Sequence, residues 1–119
     1  MERNAHEQAR AHIRSDAVNK TVNPEKQSRH DRNSNRYVKE RSYLLEGIDA
    51  QELVDRYHGT GDIRINRANN EWTNKEFIIA DRNIGMNVNP TTKEETITNR
   101  FIIHYSRTGT HIVPTERRS

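Results

Sequence analysis

The side chains best suited to proton transfer stand at the two ends of one short segment. Residues 104–111 read HYSRTGTH, so two imidazoles enclose three aliphatic hydroxyl residues, a tyrosine, an arginine and a glycine. Histidine changes charge close to neutral pH and serves as acid or base, and a glycine lets backbone N–H groups approach an anion closely. The segment predicts either a polar β-hairpin or a site that binds a phosphate and moves protons beside it.

Two imidazoles on one face, with a cation and hydroxyls nearby, match the requirements of RNA cleavage without a metal. A base removes the 2′-hydroxyl proton, an acid protonates the leaving 5′-oxygen, and cationic or N–H donors hold the pentavalent phosphorane. His104 and His111 are the candidates for these transfers. A single histidine on a strand is more often a surface or half-buried residue with a backbone partner than a catalytic one. The prediction therefore depends on the two histidines occurring together.

Alternation along TNRFIIHYS, residues 98–106, predicts a strand with one apolar and one polar face. The apolar face, expected in the core, carries Phe101, Ile103 and Tyr105. The polar face, expected to meet solvent or a ligand, carries Arg100, Ile102, His104 and Ser106. A loop of two or four residues would place Ser106 opposite His111, whereas a three-residue loop would place His111 beside Tyr105. We favour the first register because it groups the polar side chains.

Composition limits the class of protein. With 119 residues, 30% apolar and 31% charged, the chain supports one domain with a small core. No window approaches the roughly 18 apolar residues of a membrane span, and the lack of cysteine excludes disulfides and thiolate catalysis. Residues 1–42 carry ten Lys or Arg against six Asp or Glu, which is compatible with a polyanionic partner.

Other site chemistries find little support in the sequence. The six histidines are not joined by any cysteine, so a zinc site is not predicted, and no other metal or cofactor is expected. Asp62, Glu76 and Asp81 are candidates for paired-carboxylate chemistry, but nothing fixes their separation. The GTG at 59–61 is not followed by GKS or GKT, as a phosphate-binding P-loop requires.

Two helices are predicted to position this chemistry. Asn23 as N-cap and Pro24 at the first helical position predict a short helix that continues through EKQSRH. Its spacing places Lys26, Gln27 and His30 on one face. The clearest helix signature follows in SYLLEGIDAQELVDRYHGTG (42–61). Asp49 and Glu52 form a capping box, and Gly59 marks the end of the helix. Its apolar stripe consists of Leu53, Val54 and Tyr57.

Beyond this helix the hydrophobic period changes to two. The predicted strands are DIRIN (62–66), KEFIIAD (75–81), IGMNV (84–88), TNRFIIHYS (98–106) and THIVPT (110–115), and NPTTKEET (89–96) is expected to form a loop. Helices followed by a run of strands indicate an α+β fold with an antiparallel sheet.

Several motifs resemble the polymorphic toxin type 50 domain, which also occurs at the C-terminus of some phage head-morphogenesis (minor capsid) proteins. They are KQ-x-x-H at 26–30, SYL at 42–44, IDAQELVDRYHGTG at 48–61, W-x-x-KE at 72–76, AD-x-x-IG at 80–85 and TNRFIIHYSRTGTHIVP at 98–114. The resemblance covers roughly residues 25–115, and residues 23–119 are expected to form one RNase-toxin-like domain. Residues 1–22, with a weakly apolar helical pattern over 2–14, are expected to be a frayed or partner-dependent helical lead-in from a larger protein.

The resemblance implies a fold of the barnase, EndoU, colicin and RelE type, with N-terminal helices packed on a four- to five-stranded antiparallel sheet. Members of that superfamily are mostly metal-independent ribonucleases that leave a 2′,3′-cyclic phosphate, and many are toxins neutralised by an immunity protein. Carried over to this chain, it implies catalytic roles for His30, His104 and His111, and phosphate or RNA binding by Lys26, Gln27, Ser106, Arg107 and Thr108. The chain departs from the family pattern after His30, where DRNSNR contains no glycine and Glu40 replaces a usual glycine.

We therefore expect a ribonuclease toxin domain that acts on RNA in the bacterial cytoplasm, delivered as an effector or associated with a phage particle, with no membrane partner. An alternative is a noncatalytic module of a phage head protein that binds packaged DNA or capsid and portal subunits. A third interpretation, which the departures after His30 keep open, is a partner-binding domain that has lost its activity.

Overall fold

The computed structural model of the chain describes residues 4–116 and shows an α+β fold, as the sequence predicts. The helices are α1 (Ala5–Arg14), α2 (Pro24–Ser28) and α3 (Ala50–Tyr57). The strands are β1 (Tyr43–Leu44), β2 (Asp62–Asn66), β3 (Glu71–Ile79), β4 (Gly85–Val88), β5 (Glu95–Thr98), β6 (Arg100–His104) and β7 (His111–Thr115). They form two antiparallel sheets, one in the order β2-β3-β6-β7 and a smaller one in the order β1-β4-β5.

The helix starts follow the predicted capping residues. The Asn23 side chain accepts a hydrogen bond from the Lys26 N–H, and the Asp49 side chain accepts one from the Gln51 N–H, so both N-caps are confirmed. The second half of the predicted capping box differs, because the Glu52 carboxylate forms an ion pair with Arg82. α2 ends at Ser28, so residue 30 lies in the turn that follows the helix.

The core lies between the helices and one face of the four-stranded sheet. Phe101 and Ile103 of β6 are fully buried there, as the alternation predicts. The apolar stripe of α3 packs against them, with Tyr57 edge-to-face on Phe101 at 5.9 Å between ring centroids. The inner and outer faces of β6 are therefore those expected from the sequence.

The predicted strand over 98–106 is wrong in its extent, because the chain changes sheets at Asn99. Thr98 pairs with Gly85 in the smaller sheet, whereas Arg100 pairs with Ile79 in the larger one. Asn99 makes the change of direction by exchanging backbone and side-chain hydrogen bonds with Ala80, at 2.8 and 3.0 Å. The predicted loop 89–96 is correspondingly shorter, since β5 begins at Glu95.

Helix α1 is anchored to the domain by both of its faces. Ala9 and Ile13 are buried in the core, and the guanidinium groups of Arg10 and Arg14 donate to the carbonyl oxygens of Gly61 and Gly59. Among the described residues, 4–116, no helix has the length and apolar character needed to cross a membrane. Residues 2 and 3 of the predicted first helix lie outside the described residues, and the derivation of 1–22 from a larger protein stays a prediction.

Candidate functional site

Three imidazoles form a continuous stack on the outer face of the four-stranded sheet. The rings of His104 and His111 lie 4.8 Å apart between centroids with an interplanar angle of 10°. The ring of His30 lies on the other side of His111, at 5.8 Å and 11°. The structure thus brings together the three histidines that the sequence predicts, and we call them the histidine stack.

Strand register explains the contact between the last two histidines. His104 is directly opposite His111 in the β6–β7 ladder, so the two side chains share a face and their rings meet. The predicted register, with Ser106 opposite His111, is wrong, although the predicted grouping of both histidines on the polar face is right. The connection spans residues 105–110, longer than the tight turn that the sequence suggested.

This connection keeps its shape because the chain segment before α2 holds it. The Asn23 side chain donates to the Thr108 carbonyl, and the Asn23 N–H donates to the Thr110 carbonyl. The Thr110 N–H donates in turn to the carbonyl of Thr21. Gly109 has φ +116 and sits so close to this segment that a Cβ there would lie 3.0 Å from the Thr21 oxygen.

A lysine-centred group of hydroxyls lies beside the stack. The Lys26 Nζ donates to the Ser106 Oγ at 2.9 Å and to the Thr108 Oγ1 at 2.8 Å, and the two hydroxyls lie 3.0 Å apart. The Thr108 N–H also donates to the Ser106 Oγ. We call these three residues the hydroxyl cradle. An ammonium, two hydroxyls and a backbone N–H are donors suited to phosphate oxygens.

Gln27 has a different place from the one predicted. Its side chain accepts from the Ile112 N–H at 2.7 Å and donates to the Ile112 carbonyl at 3.0 Å, and the residue is buried. Both groups of the amide are thereby used on the free edge of β7. Gln27 therefore positions α2 against the strand that carries His111, a structural role that differs from the predicted phosphate contact.

The hydrogen bond of His30 fixes its tautomer. Its Nδ1 lies 2.9 Å from the carbonyl oxygen of Ser42, which can only accept, so Nδ1 carries the proton. The neutral ring is therefore an acceptor at Nε2. His30 is only 5% exposed, whereas His104 and His111 are half-buried, so it is the innermost ring of the stack.

Burial keeps the stack uncharged. Desolvation lowers the pKa of His104 to about 4, and the Lys75 ammonium adds to the shift. Desolvation likewise lowers the pKa of His111 to about 4, helped by the charges that protonation of its neighbouring rings would create and by Lys26. The pKa of His30 is lowered by burial too, against the opposing effect of its bond to Ser42. The two half-buried rings are thus neutral at pH 7 in the free domain.

Three cations around the stack were not among the predicted site residues, although one of them, Lys75, belongs to the W-x-x-KE motif. Arg29 and Arg41 act on His30, and Lys75, which pairs with His104 across β3 and β6, acts on that ring. The predicted Arg107 is exposed beside the cradle, and its carbonyl accepts from Asn19. Lys75 could have been found from the sequence, since alternation in KEFIIAD places it on the outer face of β3.

Two rings of the stack, those of His104 and His111, are partly exposed on the outer face of the sheet. Within residues 4–116, no group of three or more potential ligands is placed to hold a metal ion. A groove lies elsewhere in the described chain, between α2 and the segment from Tyr43 to Gln51.

Comparison with known families decides what kind of domain this is. The sequence model described as Bacterial toxin 50 matches residues 22–114, which include the histidine stack and the hydroxyl cradle. The chain belongs to the Bacterial toxin 50 family. This confirms the resemblance seen in the motifs and makes the protein a toxin-type domain. A search of curated proteins finds no match. In this Bacterial toxin 50 domain, α1 lies ahead of the family match and still packs into the core.

The backbone conformation at residue 40 explains why the family usually has a glycine there. Glu40 has φ +72, in the left-handed region that favours glycine. Its side chain forms an ion pair with Lys93 at 3.2 Å, which holds the loop to the β4–β5 connection. The loop after His30 therefore keeps the conformation that a glycine would adopt most readily, at the cost of some backbone strain.

Proposed function

We propose that this Bacterial toxin 50 domain is an endoribonuclease that cleaves RNA by acid–base transesterification without a metal. The observation that supports it most strongly is the pair of parallel, neutral imidazoles beside the lysine-held hydroxyl cradle. With one of its two rings protonated, such a pair supplies both proton transfers, and the cradle supplies donors for the scissile phosphate beside the pair.

The cradle would bind the scissile phosphate. In the free domain Lys26 satisfies its donors with Ser106 and Thr108, so these groups are already oriented toward one another. An entering phosphate oxygen would give the Lys26 ammonium an anionic acceptor in place of a neutral hydroxyl, which adds an ion pair to the hydrogen bond. The exposed Arg107 would add a second cation at the edge of the same turn.

The two half-buried rings would exchange the protons. At 4.8 Å they disfavour a doubly protonated state, so the pair holds at most one proton near neutral pH. The phosphodiester anion, once bound beside the pair, raises the pKa of the pair, so that one ring takes up a proton from solvent before the chemical step. The neutral ring takes the 2′-hydroxyl proton as the 2′-oxygen attacks phosphorus, and the protonated ring gives its proton to the leaving 5′-oxygen. The products are a 2′,3′-cyclic phosphate and a 5′-hydroxyl.

His30 would act through His111. It is nearly inaccessible and is fixed by Ser42, and its ring covers the inner face of the His111 ring. We therefore assign it a positioning role in place of the direct proton transfer implied by the family resemblance. As a toxin that acts on cellular RNA, the domain is expected to act in the bacterial cytoplasm and to require an inhibitory partner in the producing cell.

The test is cleavage of a short RNA in EDTA by the whole chain. The wild type and His6→Asn, which changes an exposed histidine on α1, are expected to cleave. His104→Asn and His111→Asn are each expected to lose roughly 10²-fold or more in rate. A single 2′-deoxy substitution at the cleaved nucleotide should block the reaction, and the 3′ product end should be a cyclic phosphate.

If the wild type is folded and the RNA stays intact, the nuclease proposal is wrong. Salt-sensitive binding of duplex DNA that survives both asparagine substitutions would favour the noncatalytic capsid module instead. Cleavage that persists in the 2′-deoxy substrate would keep the nuclease and exclude the transesterification mechanism.

A further inference from the structure

The outer face of the four-stranded sheet continues beyond the histidine stack as a half-buried apolar surface. Phe77 of β3 pairs with Ile102 of β6, which pairs with Val113 of β7, so the three side chains form one row across the sheet. All three are half-buried, and they lie on the face opposite the core. The adjacent row in the same ladder is Lys75, His104 and His111.

A planar cation covers one end of this apolar row. The guanidinium carbon of Arg64 lies 4.3 Å from the centroid of the Phe77 ring. An ion pair with Asp62 at 3.3 Å holds the same guanidinium, and the Arg64 side chain remains 35% exposed. The Phe77 ring and the Asp62 carboxylate together restrain the Arg64 guanidinium, because arginine stacks on aromatic faces and pairs with carboxylates. The restrained guanidinium presents a flat, partly exposed surface.

This surface lies within one nucleotide's reach of the proposed chemistry. Because Lys75 is opposite His104, Phe77 is the diagonal neighbour of His104, and such neighbours are about 7–8 Å apart. Arg64 stands over Phe77, on the strand farther from the histidines. Arg100, half-buried on β6 two residues before Ile102, adds a cation on the same face.

We propose that the Arg64–Phe77 stack is a nucleobase platform, on which the base next to the scissile phosphate of a single-stranded RNA stacks. This inference rests on the proposed function, and it names the substrate as unpaired RNA. Unpaired bases stack on aromatic rings and on arginine planes, whereas bases inside an A-form duplex keep their faces covered by their neighbours. The cations Arg64, Arg100 and Lys75 complement the backbone of such a strand.

The experiment measures binding of a 2′-O-methyl heptanucleotide, which resists cleavage, to the whole chain. The decisive variant is Arg64→Lys, which keeps the charge and removes the planar stacking surface. We expect it to weaken binding roughly ten-fold, as loss of one stacked base does. Phe77→Leu, which keeps apolar bulk, should weaken binding in the same direction if its urea unfolding matches that of the wild type.

A matched control exists on the other side of the sheet. Arg56 of α3 also lies over an aromatic ring, that of Tyr57 at 5.4 Å, and also pairs with an aspartate, Asp81 at 2.8 Å. Arg56→Lys should therefore bind the oligonucleotide as tightly as the wild type. A heptanucleotide that lacks the base at the platform position should bind weakly to the wild type and show no further loss with Arg64→Lys.

Three results would overturn the platform. They are equal binding by Arg64→Lys and wild type, an equal loss for intact and abasic oligonucleotides, and equal affinity for the same sequence as a duplex. The wild type's cleavage of unmodified RNA is measured in parallel, so that the two proposals fail separately. If the wild type cleaves RNA and Arg64→Lys binds the oligonucleotide normally, only the platform proposal is wrong. If Arg64→Lys weakens binding and the wild type does not cleave RNA, only the nuclease proposal is wrong.

Discussion

Lys26 is the side chain on which the two parts of the candidate site meet. It belongs to α2, and its ammonium donates hydrogen bonds to two hydroxyls in the connection between β6 and β7. The same ammonium is among the charges that lower the pKa of His111. In the proposed mechanism, this one residue would couple phosphate binding to the protonation of the histidine pair.

Replacing Lys26 by methionine tests that coupling. Methionine keeps an unbranched stem of similar length and removes the charge, while Ser106 and Thr108 can still bond to each other at 3.0 Å. We expect RNA cleavage to fall by roughly 10²-fold, the usual effect of losing one donor to a transition-state oxyanion. The free energy of unfolding should change by no more than about 1 kcal/mol.

Two quantities are measured for the variant and the wild type: kcat/KM on a short RNA, and the free energy of unfolding in urea. Lys39→Met, which alters an exposed lysine outside the candidate site, is the control. An unchanged kcat/KM for Lys26→Met would remove the cradle from the mechanism. A large loss of stability instead would make Lys26 a structural residue.

At the scale of elements, the site depends on a connection that is held from a distance. Residues 105–110 span the ends of β6 and β7, and their backbone bonds to Thr21 and Asn23, more than 80 positions earlier. Gly109 lies against this segment with φ +116, and a Cβ added to it would lie 3.0 Å from the Asn23 Cβ.

Gly109→Ala should therefore both strain and displace the connection. We expect it to lower the free energy of unfolding by about 1–3 kcal/mol and to reduce RNA cleavage. Gly47→Ala is the matched control, because Gly47 has φ +82 and nothing lies within 4 Å of its added Cβ, so it isolates the backbone strain. Urea unfolding and cleavage of both variants check the expectation, and equal losses for the two alanines would contradict close packing at Gly109.

These elements also show how far sequence patterns reach. Alternation correctly predicted that His104 lies on the polar face of β6, and the Asn23–Pro24 signal correctly predicted α2, because both are local. The register of β6 and β7 was predicted wrongly because it depends on where the segment around Thr21 docks. The division into two sheets at Asn99 depends likewise on its bonds to Ala80, which local periodicity does not contain.

At the scale of the whole molecule, a buried carboxylate joins the helices to the sheet that carries the site. Glu76 is fully buried, and its oxygens accept from the N–H groups of Gly59 and Gly61 and from the Tyr105 hydroxyl. A buried carboxylate needs such a full set of donors. Glu76 thereby ties the loop after α3 to the residue just before the cradle, a structural role that its identity alone did not reveal.

Helix α1 completes the same arrangement from outside the family match. Its Arg14 donates to the carbonyl of Gly59, the glycine whose N–H binds Glu76. Its His12 contacts Trp72 edge-to-face, and Trp72 packs against Tyr105 at 5.4 Å between centroids. A chain of contacts therefore runs from α1 to the start of the connection that holds the cradle.

The folding unit should accordingly include α1, and Ile13→Ala tests this. Ile13 is fully buried, so the substitution removes core contacts and leaves a cavity, and we expect the free energy of unfolding to fall by about 2–5 kcal/mol. The same substitution at Ile97, which is 53% exposed on β5, should change it by less than about 0.5 kcal/mol. Urea unfolding followed by tryptophan fluorescence measures both, because Trp72 reports directly on the contact with α1. If Ile13→Ala unfolds at the wild-type midpoint, α1 is an appendage, and the domain that forms the site begins with the family match at residue 22.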